Sequence, residues 1–353
     1  MRRHEGLVAA YLRRLEQESY QLSQRFPSQL SSVYIGGGTP SHLQDSELAR
    51  IVHMLHTHWR LAEDVEFTLE ADPLTFDPER LAYWQTLGIT RLSIGLQSTQ
   101  DAVLRFLGRR HNAMQGLEAI DWALAAGFAV SADLIIAVPG QNAAQDIHRL
   151  ATSGVQHLSV YSLTIEPHTP FALRGVQVDE TQDYQDYLLA YETLQGYGLA
   201  RYEVSNYARP GWESRHNQYY WSGDYFLALG PSAASLVPSR RSGILAERQR
   251  NPLMKAWLEG EAGECWPLDA RRFYEDMLIT GLRTAKGVDM LALEQRCGQP
   301  LETFFGKVPA QLLQEGWLEH HPPYLRASDA GLLRLNSVLQ RLLRASEPRE
   351  ASL

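Results

Sequence analysis

Cysteine is scarce in this sequence, accounting for two of the 353 residues. The two are Cys265 and Cys297, and their separation of 32 residues matches no compact metal-binding or redox motif. A disulfide scaffold is therefore excluded. So is any zinc or iron–sulfur site that would take three or four cysteines from these residues.

The sequence also lacks long apolar runs and an excess of positive charge. No stretch reaches the roughly 18 uninterrupted apolar residues of a membrane span, and 33 Lys and Arg stand against 41 Asp and Glu, a net charge of −8. Phosphate neutralisation needs clustered basic residues, so we expect no nucleic-acid partner. The N-terminal segment carries charges throughout and does not resemble a secretory signal, which predicts a cytoplasmic protein.

From about residue 30 to 165, short β-rich runs alternate with longer amphipathic segments. Strands are predicted at 32–35, 65–70, 91–95, 128–137 and 157–163, with helices at 45–58, 77–87, 113–126 and 143–153. Gly88 and Gly127 stand where helix C-caps are expected. Strand–helix–strand units of this length imply parallel pairing with right-handed crossovers, so the fold class is α/β with a partial (β/α) barrel.

In such a barrel, functional residues follow the carboxyl ends of the strands. The candidates there are Gly37, Gly38 and Thr39 after the first strand, then Glu70, Gln97, Arg109 and Asp133. Exposed backbone amides of glycines can cradle a carboxylate or phosphate, and four polar groups on successive strands can converge on one pocket. The alternatives are a tight turn capped by Ser41 and ordinary solvated strand-end side chains.

Two histidine groups raise the question of a metal or haem. His53, His56 and His58 do not share one helical face, which disfavours a metal site. His216 precedes an aromatic set, Tyr219, Tyr220 and Trp221, and is the better candidate for contact with a tetrapyrrole or its iron. A packed loop histidine is the alternative.

The chain is predicted to comprise the barrel core at 1–170, an extension with aromatic motifs at 171–260, a small C-terminal, mainly helical, winged-helix-like domain at 261–345 and a tail at 346–353. A winged helix can contact DNA. Arg271, Arg272 and Arg283 are interspersed with Glu275 and Asp276, however, which disfavours that function.

Taken in order, the segments YIGGGTPSHL, TLEADP, RLSIGLQS, LGRRH, ADLIIAVPGQ, LSVYSLTIEPHT, YEVSNYARPG and RHNQYYW resemble the radical S-adenosylmethionine family. The resemblance is to the group of oxygen-independent coproporphyrinogen III oxidase, and within it to the haem chaperone branch. It implies that Gly37, Gly38 and Thr39 hold the amino-acid end of S-adenosylmethionine. Glu70, Gln97, Arg109 and Asp133 would surround the remainder, and His216 would lie in the haem-handling region.

The sequence departs from this family at two points. Its members carry a Cys-x3-Cys-x2-Cys segment on a preceding strand, which holds a [4Fe–4S] cluster, and that segment and strand are absent here. The chain as written therefore cannot bind the cluster. Either the reading frame starts late, which we favour, or a relative has lost radical chemistry and kept binding. Ala137 also stands where the family has glycine, and we expect a local effect only.

The resemblance implies a protein that binds haem and S-adenosylmethionine and delivers haem to acceptor proteins, respiratory ones among them. The alternative is an oxidase of the coproporphyrinogen III type, which needs the absent cluster segment. Whether the chain is an enzyme stays open, as does its oligomeric state.

Overall fold

A computed structural model describes residues 5–346. Residues 29–216 form one compact unit, and residues 5–28 together with 217–346 form another. Of the predicted tail, Ser346 alone falls within the described residues, as the last residue of a helix.

The strands are β1 (Gln29–Ile35), β2 (Arg60–Ala71), β3 (Arg91–Gln97), β4 (Ala129–Ile136), β5 (His157–Ser162), β6 (Ala200–Arg201), β7 (Asn206–Ala208), β8 (Ala234–Pro238), β9 (Ala246–Arg250), β10 (Glu264–Leu268), β11 (Val288–Asp289), β12 (Leu318–His321) and β13 (Tyr324–Ala327).

The helices are α1 (Glu5–Arg25), α2 (Asp45–His58), α3 (Pro78–Thr86), α4 (Asp101–Phe106), α5 (Ala113–Ala125), α6 (Ala143–Ala151), α7 (Pro170–Leu173), α8 (Glu180–Gly196), α9 (Arg215–Ser222), α10 (Met254–Glu259), α11 (Ala270–Gly281), α12 (Met290–Cys297), α13 (Leu301–Phe305), α14 (Val308–Gln314), α15 (Asp329–Leu332) and α16 (Leu335–Ser346).

The first unit is built on a curled, seven-stranded half-barrel sheet in the order β1-β2-β3-β4-β5-β7-β6. Strands β1 to β5 run parallel to one another. Strand β7 pairs antiparallel with both β5 and β6. Strand β1 forms one edge of the sheet. The prediction of an α/β partial barrel with parallel strands is thus confirmed.

The predicted and observed element boundaries differ most where the sequence signal for a strand is weakest. Strand β2 begins at Arg60, five residues before its predicted start at Val65, because Arg60 and Leu61 pair with Gln29 and Leu30 of β1. The charged residues at this end of β2 conceal the strand pattern. Gly88 and Gly127 adopt φ angles of +83° and +87° after their helices, the left-handed conformation expected of C-cap glycines.

The five parallel strands separate apolar from polar side chains by alternation. One face carries buried apolar residues that form the core with the helices: Val33, Phe67, Leu69, Leu92, Ile94, Val130, Ala132, Leu134, Leu158 and Val160. The other face, which we call the polar face, carries Ser32, Tyr34, Glu66, Thr68, Glu70, Arg91, Ser93, Ser131, Asp133, His157 and Ser159. A segment from Tyr202 to His216 hydrogen-bonds to this polar face.

The second unit contains two three-stranded antiparallel sheets, β10-β9-β8 and β11-β13-β12, and is otherwise helical. Its long helix α1 is anchored by Glu18, whose buried carboxylate accepts hydrogen bonds from Gly230 N at 2.9 Å and Asn251 Nδ2 at 2.6 Å. Among residues 5–346, none of the helices combines the length and hydropathy needed to cross a membrane.

Candidate functional site

The glycine loop after β1 lies against the end of β2. Gly37 N donates a hydrogen bond to Glu70 Oε2 at 2.9 Å. A Cβ on Gly36 would lie 2.7 Å from Glu70 Oε1 and 2.7 Å from Tyr34 Cε1, so the close approach requires glycine there. Beside Gly37 and Gly38, by contrast, nothing lies within 4 Å of a Cβ position. These two glycines therefore border open space, although the N–H of Gly37 is already bonded to Glu70.

Three non-glycine residues at the carboxyl ends of β1, β3 and β4 adopt left-handed backbone conformations. They are Thr39 (φ +61°), Gln97 (φ +70°) and Ala137 (φ +60°). Such conformations cost on the order of 1 kcal/mol or more for a residue with a Cβ, and they cluster at functional sites. The φ angle of Ala137 is one that glycine adopts more readily, in line with the glycine that the resemblance implies at this position.

Glu70 and Asp133 bring two carboxylates to the polar face near the strand ends. Ser93, the sheet neighbour of Glu70, donates to Asp133 Oδ1 at 3.3 Å. Burial raises the pKa of Asp133 to about 7, and the Glu70 charge acts in the same direction, while hydrogen bonds from Ser159 and Ser93 lower it. Asp133 is therefore poised to exchange a proton near neutral pH.

The other two predicted residues lie around these carboxylates. Arg109 is exposed after α4, and its charge lowers the pKa of Asp133, which places it within electrostatic range of that group. Gln97 is buried at the end of β3. Its Nε2 lies 3.1 Å from the position of a Cβ on Gly95. The structure thus places Gly37 against Glu70, and it places Glu70 and Arg109 within electrostatic range of Asp133. Gln97 lies at the carboxyl end of the neighbouring strand β3.

His216 lies at the start of α9, against the polar face. Its imidazole stacks on the ring of Tyr34 with a centroid distance of 5.1 Å and an interplanar angle of 28°. Its Nδ1 forms a hydrogen bond with Ser32 Oγ at 2.9 Å. Desolvation lowers the pKa of His216 and outweighs the opposing effect of Glu66, so the ring is held neutral at pH 7. A neutral imidazole is the form that ligates iron.

The segment before His216 is held by a buried ion pair that the sequence analysis missed. Glu66 accepts hydrogen bonds from Ser214 Oγ (3.2 Å), Arg215 N (3.1 Å) and His216 N (2.9 Å). Arg91 Nη1 lies 3.3 Å from Glu66, and Arg91 Nη2 donates to the carbonyl of Trp212 at 2.7 Å. In the sequence, the alternation of polar and apolar residues along β2 and β3 could have identified Glu66 and Arg91 as members of one polar face.

Helix α2 carries the histidines that were weighed as a metal site. His53 and His56 are exposed, and His58 is half-buried. In the described part of the chain, no group of three or more His, Cys, Asp or Glu side chains is arranged to hold a metal ion.

The donors on the polar face fit S-adenosylmethionine and haem but not an iron–sulfur cluster. An open glycine backbone, two carboxylates and a guanidinium match the carboxylate, ammonium and hydroxyls of S-adenosylmethionine. His216 offers a neutral imidazole, the form that could ligate haem iron. Cys265 and Cys297 both lie in the second unit, where Cys265 contacts Arg241 and Glu247 and burial raises the pKa of Cys297 to about 12. They supply no three-thiolate set.

Comparison with protein families identifies two regions of the chain. Residues 3–151 match the radical SAM superfamily, and residues 268–334 match the HemN C-terminal domain.

Similar proteins extend this match to nearly the whole chain. The chain is 34% identical to the heme chaperone HemW of Synechocystis sp. over 320 residues, covering 83% of this chain and 73% of that protein. It is 28% identical to the heme chaperone HemW of Bacillus subtilis, covering 94% and 90%. It is 34% identical to the mitochondrial radical S-adenosyl methionine domain-containing protein 1 of Mus musculus, covering 89% and 76%.

Among solved structures, the coproporphyrinogen III oxidase HemN of Escherichia coli superimposes with a TM-score of 0.80 at 21% identity, covering 97% of this chain and 84% of that one. At this identity the likeness concerns the fold. The two domain matches and the relatives above 30% identity lead to one conclusion: the chain belongs to the radical SAM superfamily, in the family of the HemW proteins.

Proposed function

We propose that this protein is a haem-binding trafficking protein that carries haem on a radical SAM scaffold and delivers it to acceptor proteins. The observation that carries the proposal is the similarity, at 34% identity over 83% of the chain, to a protein named as a heme chaperone. The environment of His216 supports it, because a buried ion pair and two side-chain contacts prepare a neutral imidazole.

In this proposal, His216 offers its imidazole to haem iron. The hydrogen bond of its Nδ1 with Ser32 Oγ and the stacking on Tyr34 would fix the orientation of the ring. Glu66 and Arg91 hold the backbone from which His216 projects. Haem, when bound, would supply the iron that the imidazole ligates. The aromatic residues Tyr219, Tyr220 and Trp221 follow His216 on α9.

We further propose that the carboxyl ends of β1 to β4 bind S-adenosylmethionine. The loop of Gly37, Gly38 and Thr39, which borders open space, would receive its amino-acid end. Glu70, Gln97, Arg109 and Asp133 would surround the remainder, where the two carboxylates would accept hydrogen bonds from hydroxyl donors. Arg109 would reach the carboxylate of the amino-acid end. S-adenosylmethionine contributes a sulfonium cation, which the two carboxylates would stabilise.

The likeness to the E. coli coproporphyrinogen III oxidase concerns the fold, so no oxidase activity is carried over to this chain. The haem acceptor is defined in the proposal by its function alone, as a protein that receives haem.

Titration of haem into the purified protein, followed by the Soret band, tests this function. We expect saturable binding, and His216→Ala should raise the Kd at least about tenfold, a loss of ~1.4 kcal/mol. The matched control is His56→Ala, an exposed histidine on α2, which should bind as the parent does. Absence of saturable binding by the parent would refute the proposal, whereas unchanged binding by His216→Ala would refute only the assignment of the ligand.

A further inference from the structure

Tyr34 contacts two groups that the proposed function assigns to different ligands. Its hydroxyl donates a hydrogen bond to Glu70 Oε1 at 3.0 Å. Its ring stacks on the imidazole of His216. Glu70 belongs to the proposed S-adenosylmethionine site and His216 to the proposed haem site, so one side chain joins the two.

Both partners of Tyr34 are also held from a second direction. Glu70 Oε2 accepts from Gly37 N at 2.9 Å, and His216 Nδ1 bonds with Ser32 Oγ, two residues before Tyr34 on the same face of β1. A Cβ on Gly36 would lie 2.7 Å from both Tyr34 and Glu70, so there is no room for a side chain beside their contact. A movement of Glu70 would therefore be passed to Tyr34 through the hydrogen bond in a crowded setting.

The hydroxyl of Tyr34 remains a donor under all ordinary conditions. Burial, reinforced by the charges of Glu70 and Asp133, raises the pKa of Tyr34 far above its usual value. The hydroxyl thus keeps the proton that it donates to Glu70.

We infer that Tyr34 is a positioning residue that couples the two sites, so that S-adenosylmethionine bound at Glu70 strengthens haem binding at His216. This inference rests on the proposed function. Each oxygen of the Glu70 carboxylate has two lone pairs and accepts one of the two hydrogen bonds described, which leaves room for a ligand donor. S-adenosylmethionine bound at Glu70 restricts the motion of Glu70, and through the hydrogen bond and the stacking it restricts Tyr34 and His216 as well. Haem then binds an imidazole whose orientation is already fixed. The coupling is reciprocal.

A double-mutant cycle measured without any ligand tests whether Tyr34 transmits a change at Glu70 to His216. The readout is the NMR chemical shift of the His216 imidazole. Glu70→Ala should displace this signal in the parent and leave it in place in a Tyr34→Phe background, where the ring is kept and the hydroxyl is gone. An equal displacement in both backgrounds, or none in the parent, would overturn the inference.

Haem titration with and without saturating S-adenosylmethionine tests whether this ligand strengthens haem binding. In the parent, S-adenosylmethionine should lower the Kd for haem about fivefold or more. The ratio of the two Kd values should fall to about one in Tyr34→Phe and persist in Tyr184→Phe, a control at an exposed tyrosine on α8. A parent that binds haem saturably but ignores S-adenosylmethionine would overturn the coupling and leave the proposed function intact. Absence of haem binding would refute the proposed function, and the ligand-free cycle would then decide the link.

Discussion

Glu66 and Arg91 form an ion pair, 3.3 Å apart, with both side chains less than 10% exposed, and together they hold the backbone that leads to His216. Buried ion pairs contribute little net stability, because desolvation offsets their attraction. Here the carboxylate also accepts two amide hydrogen bonds at the start of α9, where the helix dipole favours a negative charge. The pair therefore serves to position a segment, since it joins β2 to a residue 150 positions away and β3 to one 121 positions away.

Replacing Arg91 should destabilise the fold. Arg91→Met leaves the Glu66 carboxylate buried without its cation, and the free energy of unfolding should fall by about 3 kcal/mol, as measured by urea denaturation. The matched control is Arg215→Met, which removes an ion pair with the exposed Asp64 and should cost less than about 1 kcal/mol. Equal losses of unfolding free energy in the two variants would contradict the expectation that the buried ion pair costs more to break than the exposed one.

Binding of S-adenosylmethionine should depend on pH through Asp133. The pKa of this group is raised to about 7, so the carboxyl is mainly neutral at pH 6 and mainly ionised at pH 8. If the ionised form attracts the cationic ligand, affinity should rise about tenfold between these two pH values. Calorimetric titration measures the change. Asp133→Asn should bind weakly and without this dependence, and a variant that retained the pH profile would show that another group titrates.

Two neighbouring glycines should respond differently to alanine. Gly36→Ala places a Cβ against Glu70 and Tyr34, and the required shift should cost about 1–3 kcal/mol of stability. Gly38→Ala meets no atom within 4 Å and should leave the thermal unfolding temperature nearly unchanged. If Gly38→Ala nevertheless weakens S-adenosylmethionine binding in a calorimetric titration, its open backbone faces the ligand. Equal unfolding temperatures for the two variants would contradict the crowding at Gly36.

Ala137 offers a stabilising substitution. Its φ angle of +60° suits glycine, so Ala137→Gly should raise the free energy of unfolding by about 0.5–1 kcal/mol, the relief of strain exceeding the added flexibility of the unfolded chain. Ala132→Gly, in the extended and buried part of β4, should instead lower it by about 1 kcal/mol. Chemical denaturation compares the two, and a loss of stability in Ala137→Gly would show that this backbone is not strained.

Local sequence was enough to predict the architecture of the sheet. Alternating residues in β1 to β5 and glycines after the helices are local signals, and the five strands, their parallel order and four of the helices followed from them. The strand-end positions of Glu70 and Gln97 and the place of Asp133 within β4 followed as well, because strand bounds can be read from local residues. The early start of β2 did not, since pairing with β1 determines it.

The roles of Tyr34, Glu66 and Arg91 required the tertiary structure. Each belongs to a pattern that the sequence displays, but its partner lies on another strand or far along the chain, and sequence spacing carries no distance for such pairs. The sequence by itself determined which side chains share a face of the sheet, because alternation is a property of a single strand. Only the tertiary structure decided that Tyr34 lies between Glu70 and His216, because strand register and the return of the segment before His216 depend on packing across the whole unit.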